Sequence, residues 1–418
     1  MPGEPRPARV TVLYHYFHPD DVVSARHLSD FCEDLAARGW LVEAMPCNRG
    51  CRDDRKTYPL RERWRGVDIR RVWRPRFRQS SGIGRIVNAL WMIVAWSAVG
   101  LRRRDRRPDV LVVGTDPVLS VLTAKVVKAL SGRVRVVHWA FDLYPEAPVA
   151  DHLLRADSTF VRFLRRLLRR AYAACDLIAD LGPCMRARLS DYGHRARTVT
   201  LAPWALSEPA TNDRPDPGVR AKLFGDARLA ILYSGNFGRA HSYADVLALA
   251  RRLRDGGVHF CFAARGNRAD ELREAVRPDD VNVSFAEFTP EAELPRHLAA
   301  ADVHVASLRP EWTGVVVPSK FFGSLAAGRP VLFAGAADSA IALWIRKYGV
   351  GWVLGANNVE ATAVEFLQLA ESRSDLLRLQ DHCQAVYREH FSRRCIMDAW
   401  DRELRTLVRR RPALRTDA

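Results

Sequence analysis

The chain has 418 residues, 48% of them hydrophobic, and 65 Lys and Arg against 48 Asp and Glu give it a net charge of +17. Such a length exceeds one core and predicts two domains of about 200 residues each. The polar, Pro-rich start MPGEPRPARVTV has no apolar run of signal-peptide type, so a cytoplasmic protein with reduced cysteines is expected, and the chain lacks any zinc-finger pattern, RRM-type aromatic motif or basic tail with interleaved aromatics that would direct its charge to nucleic acid.

From Arg9 short apolar runs alternate with helical patterns: VTVLYHY, then SARHLSDFCEDLAARG, then WLVEAMP. In the first helix Leu28, Phe31 and Leu35 recur at i, i+3 and i+7, and Gly39 stands where a left-handed residue ends a helix. Cys47 and Cys51 form the one close cysteine pair, and with no second ligand pair nearby a plain loop is the expectation there rather than a zinc site.

Residues 61–107 hold fourteen Arg and three acids, a local balance of +11. Inside this segment lie sixteen mostly apolar residues, 86–101, short of the roughly 20 needed to span a bilayer. They predict either a half-buried helix of the first domain or one that also seats in an anionic membrane interface. A second basic helix follows in STFVRFLRRLLRRAYAAC, with arginines 162, 165, 166, 169 and 170 on one face and Phe163, Leu164, Leu167, Leu168 and Ala171 on the other.

Around these helices the strands VDIRRVW, VLVVG, VRVVHWAF, DLIADLG and TVTLAPWA complete a first series of β-α units, residues 1–205. Residues 206–225 open with the Pro- and acid-rich LSEPATNDRPDPG and read as a linker. The alternation restarts over 226–392 with LAILYSG, VHFCFAA, NVSFAEF, ADVHVASL, PVLFAG and VGWVL. Two Rossmann-like, doubly wound α/β domains facing a cleft are therefore expected, with a final helix over 393–418 crossing back to the first.

Ligands in such sheets bind beyond the carboxyl ends of the strands. In the second domain those loops are SGNFGRAH (234–241), RGN (265–267), AEF (286–288) and the Pro-Ser-Lys step before residue 321. Gly235 and Gly238 let backbone N–H groups approach a ligand, Arg239, Arg265 and Lys320 supply positive charge, and Ser319 is placed to cap a helix running to about Ala327. This combination suggests a diphosphate. No GxxxxGK[ST] occurs, GIGRIV at 82–87 lacks the third glycine of a dinucleotide fingerprint, and the absence of an Asp-x-Asp leaves neutralisation to the protein's own cations and helix dipoles.

LYSGNFGRAHSYADVLALARRL, ELPRHLAAADVHVASL and VVVPSKFFGSLAAGRPVLFAG together resemble the nucleotide-sugar-binding half of GT-B-fold glycosyltransferases, family 4 in particular. YHYFHPDDVVSARHLSDFCEDLAARGWLVEAM is similar to the acceptor-side opening of its polysaccharide-assembly members, and FDLYPE to their Asp-Leu-Trp-Pro-Glu turn. The resemblance implies a retaining transferase with no cofactor beyond its nucleotide-sugar substrate and a saccharide or polyprenyl-linked acceptor. It implies that Gly235, Asn236, Gly238, Arg239, Ser319 and Lys320 face the donor phosphates and that Phe288 lies near the base. Asp142 and Glu146 of FDLYPE, with His15, His18 and Arg26, are the acceptor-side candidates. Asp142, Arg239 and Lys320 are the expected catalytic side chains, and retention lets the leaving phosphate itself accept the acceptor proton. Two glutamates usual in the family are replaced by Val315 and Gly323, with Glu311 nearby. A sugar-nucleotide 2-epimerase and a binding protein without transfer activity are the competing expectations, as is peripheral attachment to the inner face of the plasma membrane for the basic segment.

Overall fold

The computed structural model describes residues 6–79, 81–211, 215–289 and 293–409. The chain divides into two compact units, one made of the chain up to Ala202 together with the chain from Ile396, the other running from Pro203 to Cys395.

The first unit is built on β1 (Arg9–Leu13), β2 (Leu41–Ala44), β3 (Arg61–Trp64), β4 (Val67–Arg70), β5 (Val110–Val113), β6 (Arg135–Trp139), β7 (Leu177–Asp180) and β8 (Arg197–Thr200). They form one sheet in the order β3-β4-β2-β1-β5-β6-β7-β8, parallel except for β3. Its helices are α1 (Val23–Ala37), α2 (Gly82–Ser97), α3 (Leu122–Leu130), α4 (Glu146–Ala150), α5 (Thr159–Tyr172) and α6 (Pro183–Ser190). The central strands are buried on both faces, which is why VLVV in β5 reads as a continuous apolar run rather than an alternating one.

The second unit carries a wholly parallel six-stranded sheet. Its strands are β9 (Leu229–Asn236), β10 (Val258–Arg265), β11 (Val283–Phe285), β12 (Val303–Ser307), β13 (Val331–Ala334) and β14 (Gly351–Leu354), in the order β11-β10-β9-β12-β13-β14. Its helices are α7 (Pro217–Phe224), α8 (Ala244–Arg252), α9 (Ala269–Ala275), α10 (Leu294–Ala300), α11 (Lys320–Ala326), α12 (Ala340–Tyr348), α13 (Val359–Glu371) and α14 (Arg373–His390). The final helix α15 (Arg393–Arg409) begins in this unit and from Ile396 belongs to the first, where Trp400 packs against Phe31 and Trp139 at ring separations of 5.0 and 4.9 Å. The expected continuation of this helix to residue 418 lies outside the described residues.

Four sequence expectations change. β3 was not expected because RERW is polar and lies on the exposed sheet edge, joined to β4 by the left-handed pair Arg65 and Gly66. Part of the expected linker is helix α7, whose cap Asp216 accepts from the N–H groups of Gly218 and Val219 and whose first turn holds Pro217. On α5 the apolar face is narrower than its spacing suggests: Val161, Leu168 and Ala171 are buried, whereas Phe163 is 61% exposed. The helix that carries the apolar residues starts earlier than expected: α2 and a following 3-10 turn run 20 residues from Gly82 to Leu101, long and apolar enough to cross a membrane by length and composition, where the sixteen residues alone fall short. Asn88, Ala89, Met92 and Trp96 bury one face of α2 in the first unit, and Trp96 Nε1 donates to Met45 O at 2.8 Å.

The AAGRP turn after α11 is fixed by two devices. Gly328, with φ +66°, closes a Schellman motif in which Gly328 N donates to Leu325 O and Arg329 N to Ser324 O. Arg329 is fully buried, yet its guanidinium donates to the carbonyls of Ala299, Ala301 and Ala327 at 2.7–2.8 Å, tying the end of α10 to the end of α11. Replacing Arg329 by Ala orphans these carbonyls and is expected to destabilise the protein by about 3 kcal/mol, read from urea unfolding; a change within error would show that water can replace the side chain.

Candidate functional site

On the second unit the candidate site forms at the carboxyl ends of β9 and β10, which lie side by side with Asn236 opposite Arg265. Gly235 has φ +122°, and a Cβ there would stand 3.1 Å from Lys320 Cε. A side chain at 235 would thus press on the lysine that crosses the strand end, on top of the strain of its positive φ. Lys320 opens α11, donates to Asn236 O at 3.1 Å, and holds its ammonium 5.0 Å from the centre of the Tyr233 ring. Desolvation pushes its pKa down to about 8. Gly266, φ +126°, is more tightly constrained, because a Cβ would lie 2.7 Å from Asn236 Oδ1 and from the backbone oxygen of Phe237. Arg265 stacks on Phe288, guanidinium carbon 3.5 Å from the ring centre.

The structure therefore gathers Gly235, Asn236, Gly238, Arg265, Phe288 and Lys320. Gly238 joins them because a Cβ there would reach Asn236 Nδ2 at 3.0 Å. Arg239 is exposed on the following turn, where its carbonyl accepts from Arg309 at 3.4 Å. Ser319 is exposed and makes no side-chain cap; its carbonyl instead accepts from Phe322 and Gly323 N–H. The expected cap fails because Ser319 itself adopts helical backbone angles, φ −64° and ψ −18°, where an N-cap needs extended ones. Val315 is wholly buried, Glu311 lies 3.5 Å from Arg309 Nε, and a Cβ on Gly323 would meet nothing within 4 Å.

His241 was not among the expected residues. Burial, with the charges of Lys320 and Arg268 adding to it, lowers its pKa to about 3, so the ring is neutral, and its Nδ1 lies 2.8 Å from Ser307 O. With Nδ1 as the donor, Nε2 is left as an acceptor.

On the first unit the acceptor-side candidates divide. His15 follows β1, and its backbone N–H donates to Asp116 O at 3.0 Å. Its ring is buried, stacks on Tyr16 at 4.3 Å, and sets Nδ1 3.4 Å from Asp116 Oδ1. Burial, the largest single effect, opposes its charge, but the Asp116 carboxylate together with Cys47 raises the pKa to about 9. Asp142 follows β6; its residue surface is exposed, but the protein crowding its carboxyl and, after that, the charge of Asp116 raise its pKa to about 6. Asp116, after β5, thus acts on both, and the sequence reading missed it; its place directly beyond a strand's carboxyl end was the available signal.

The remaining candidates serve other contacts. His18 stacks on Trp64 at 4.4 Å, and burial lowers its pKa. Arg26 is half-buried on α1. Glu146 turns inward at the start of α4, where Oε1 accepts from Tyr192 at 2.7 Å and Arg165 at 3.2 Å. It lines a cavity whose walls include none of the other acceptor-side candidates. Arg74 is fully buried, and among the described residues none of its three guanidinium nitrogens has a hydrogen-bond partner. The Cys47 thiol donates to Arg49 O, the arrangement of a plain loop.

Comparison with known proteins agrees with this geometry. Residues 228–372, which hold every donor-side residue above, match the family model described as glycosyl transferases group 1. Residues 228–372 thus carry a glycosyl transferases group 1 domain, and the chain has the fold of GT-B glycosyltransferases, which together support a glycosyl-transferring enzyme. Among particular proteins it is similar to the probable glycosyltransferase WbjE of Pseudomonas aeruginosa, with 27% identity over 303 residues, 71% of this chain and 74% of WbjE. Its fold matches HepE of Anabaena in complex with UDP, TM-score 0.64 at 12% identity over 95% of this chain and 100% of HepE. It also matches WaaG, a glycosyltransferase involved in lipopolysaccharide biosynthesis, TM-score 0.61 at 16% identity over 94% of this chain and 98% of WaaG.

The Asp116 and His15 pair has a definite pH signature. Since the folded pKa of His15 lies above its ordinary 6.5, the pair's contribution to stability is full below about pH 6.5 and is lost as pH rises through about 9. In Asp116→Asn the ring should titrate near or below 6.5, followed by NMR of its ring protons, and the loss of stability between pH 6.5 and 9 should shrink.

Proposed function

We propose that the protein moves a sugar from a nucleoside diphosphate sugar to a saccharide or lipid-linked saccharide acceptor, with retention and without a divalent metal, in the assembly of a cell-surface polysaccharide on the cytoplasmic side of the membrane. The observation that carries this reading is Lys320, half-buried and held across Gly235 at the end of β9 beside Arg265 and Phe288. A partly desolvated ammonium at a glycine-lined strand end suits a diphosphate, because its attraction for the anion is weakly screened there. The stacked Arg265 and Phe288 suit the flat face of a base. The names of WbjE and WaaG and the UDP held by HepE point the same way.

In this reaction the acceptor oxygen bonds to the anomeric carbon, the bond from that carbon to the diphosphate breaks, and the departing phosphate oxygen takes the acceptor's proton. Lys320, with Arg239 and Arg265, stabilises the charge that develops on the leaving group. Asp142 and His15 serve the acceptor.

Lys320→Ala should weaken UDP binding by about 1 to 3 kcal/mol in calorimetry without unfolding the protein. Because desolvation lowers the pKa of Lys320 to about 8, UDP affinity of the unaltered protein should fall as pH rises past that value, and Lys320→Arg should flatten the fall. Transfer from a panel of nucleotide sugars to bacterial lipid extract should survive EDTA and give a product that keeps the donor's anomeric configuration by NMR. Epimerisation of the donor, or binding without transfer as the replacements at Val315 and Gly323 would allow, would refute the transferase reading.

The same proposal includes peripheral attachment to an anionic membrane. One face of α2 is in the core, but Ile83, Ile86, Leu90 and Val94 form a stripe on the other, with Ile83 76% and Val94 72% exposed. Arg76, Arg78, Arg85 and Arg103 are exposed around it, an arrangement suited to lying in a head-group layer. Flotation with phosphatidylglycerol vesicles should show binding that falls with salt and drops at least tenfold in Ile86→Ser/Val94→Ser. Equal binding to neutral vesicles would remove the electrostatic part of the proposal.

A further inference from the structure

The first unit contains a cavity of about 340 Å³ that none of the chemistry above uses, between the start of α4, the outer face of α5 and the end of α6. Four arginines, Arg165, Arg166, Arg169 and Arg188, line it together with Glu146 and Tyr192. Asp191, at its edge, is the other acid. Four cations against two carboxylates leave the wall positive, and one of those carboxylates is already committed: Glu146 Oε1 is occupied by Arg165 and Tyr192.

Two features point to a ligand. Among the described residues the side chains of Arg166 and Arg169 have no ion-pair or hydrogen-bond partner, although both face the cavity from one turn of α5. The Glu146 side chain is only 6% exposed, and its second oxygen, Oε2, has no donor among the described residues. A bare anion would satisfy the arginines and leave this oxygen unpaired. A neutral polyol would do the reverse. A molecule that carries both a phosphate and hydroxyl groups meets both demands, with the phosphate against guanidinium forks and a hydroxyl donating to Glu146. The volume falls in the range of small-ligand pockets and fits one phosphorylated sugar ring.

We infer that this cavity is a binding site for a phosphorylated sugar or polyol, distinct from the residues at the ends of β9 and β10. The ligand is either free in solution or the head group of a lipid, since the recognising chemistry is the same.

The test uses the full chain and three probes in calorimetry: glucose 6-phosphate, inorganic phosphate, and dihexanoyl phosphatidylinositol 4-phosphate below its micelle concentration. Saturable binding of glucose 6-phosphate at one site in the presence of saturating UDP is expected, at least tenfold tighter than inorganic phosphate. Arg166→Gln/Arg169→Gln should weaken it at least tenfold and leave UDP affinity unchanged. Glu146→Gln should narrow the gap between glucose 6-phosphate and inorganic phosphate, and if that variant does not fold, Tyr192→Phe, which frees a lone pair on Oε1 without removing the carboxylate, should widen it. Tighter binding of the lipid probe would assign the site to a head group, and tighter binding of glucose 6-phosphate to a soluble ligand. Failure of both organic probes to saturate, displacement by UDP, or affinity unmoved by the double arginine variant overturns the inference. UDP binding is read in the same titrations, so failure here is separable from failure of the transferase reading.

Discussion

Parallel strands deliver all their carboxyl ends to one edge of a sheet, and in both units the candidate chemistry depends on that constraint. β1, β5 and β6 are neighbours, so the residues that follow them, His15, Asp116 and Asp142, come from adjacent loops although they are more than a hundred residues apart in sequence at the extremes. β9 and β10 pair in register to their last residues, which sets Asn236 beside Arg265, and β12 on the other side of β9 supplies the Ser307 carbonyl that His241 meets. Backbone must then approach backbone closely at the loop bases. Positive φ at Gly235 and Gly266 is the physical condition for that approach, and any Cβ at either position would intrude on Lys320 or Asn236.

The features that sequence reveals well are those set by periodicity. Apolar or alternating runs marked the parallel strands, VDIR and RTVT being the least apolar of them, and the strand-end rule pointed to the glycines and cations of the second unit. It missed β3, whose side chains gain little by burial at an exposed edge, and whose pairing depends on the neighbouring β4 rather than on its own pattern. Asp116 escaped notice for a different reason. In GTDP a lone carboxylate before proline is the chemistry of an ordinary turn, and only the packing of His15 beneath it gives it an electrostatic role. Glu146 shows the converse error. Four residues from Asp142 in sequence, it was grouped with it, but α4 begins there and turns the side chain inward. The shape of a turn is decided by tertiary contacts that spacing alone does not carry.

Arginine is where the sequence is least informative, because like residues in one basic stretch meet unlike fates. Of the fourteen in residues 61–107, Arg70 and Arg102 bind the buried Glu43 at 3.1 and 2.5 Å, and Arg71 binds Glu62 at 3.1 Å. Arg74 is buried with no hydrogen-bond partner for its guanidinium among the described residues, whereas the equally buried Arg329 satisfies its donors on backbone carbonyls. Burying a guanidinium costs several kcal/mol unless its donors are met, so the two side chains are energetically opposite despite identical burial.

Net charge is therefore a poor guide to partners, and the positive charge left after internal pairing is a better one. That residue of charge is not spread evenly. On the rim of α2 it borders an exposed apolar stripe, which favours a surface both anionic and oily. At the end of β9 it includes a partly desolvated ammonium over a glycine, which favours a compact phosphate. On α5 it borders a buried carboxylate oxygen that needs a donor, which favours a phosphate carrying hydroxyl groups. In each case the cation supplies attraction common to all anions, and the neighbour that is not a cation discriminates among them.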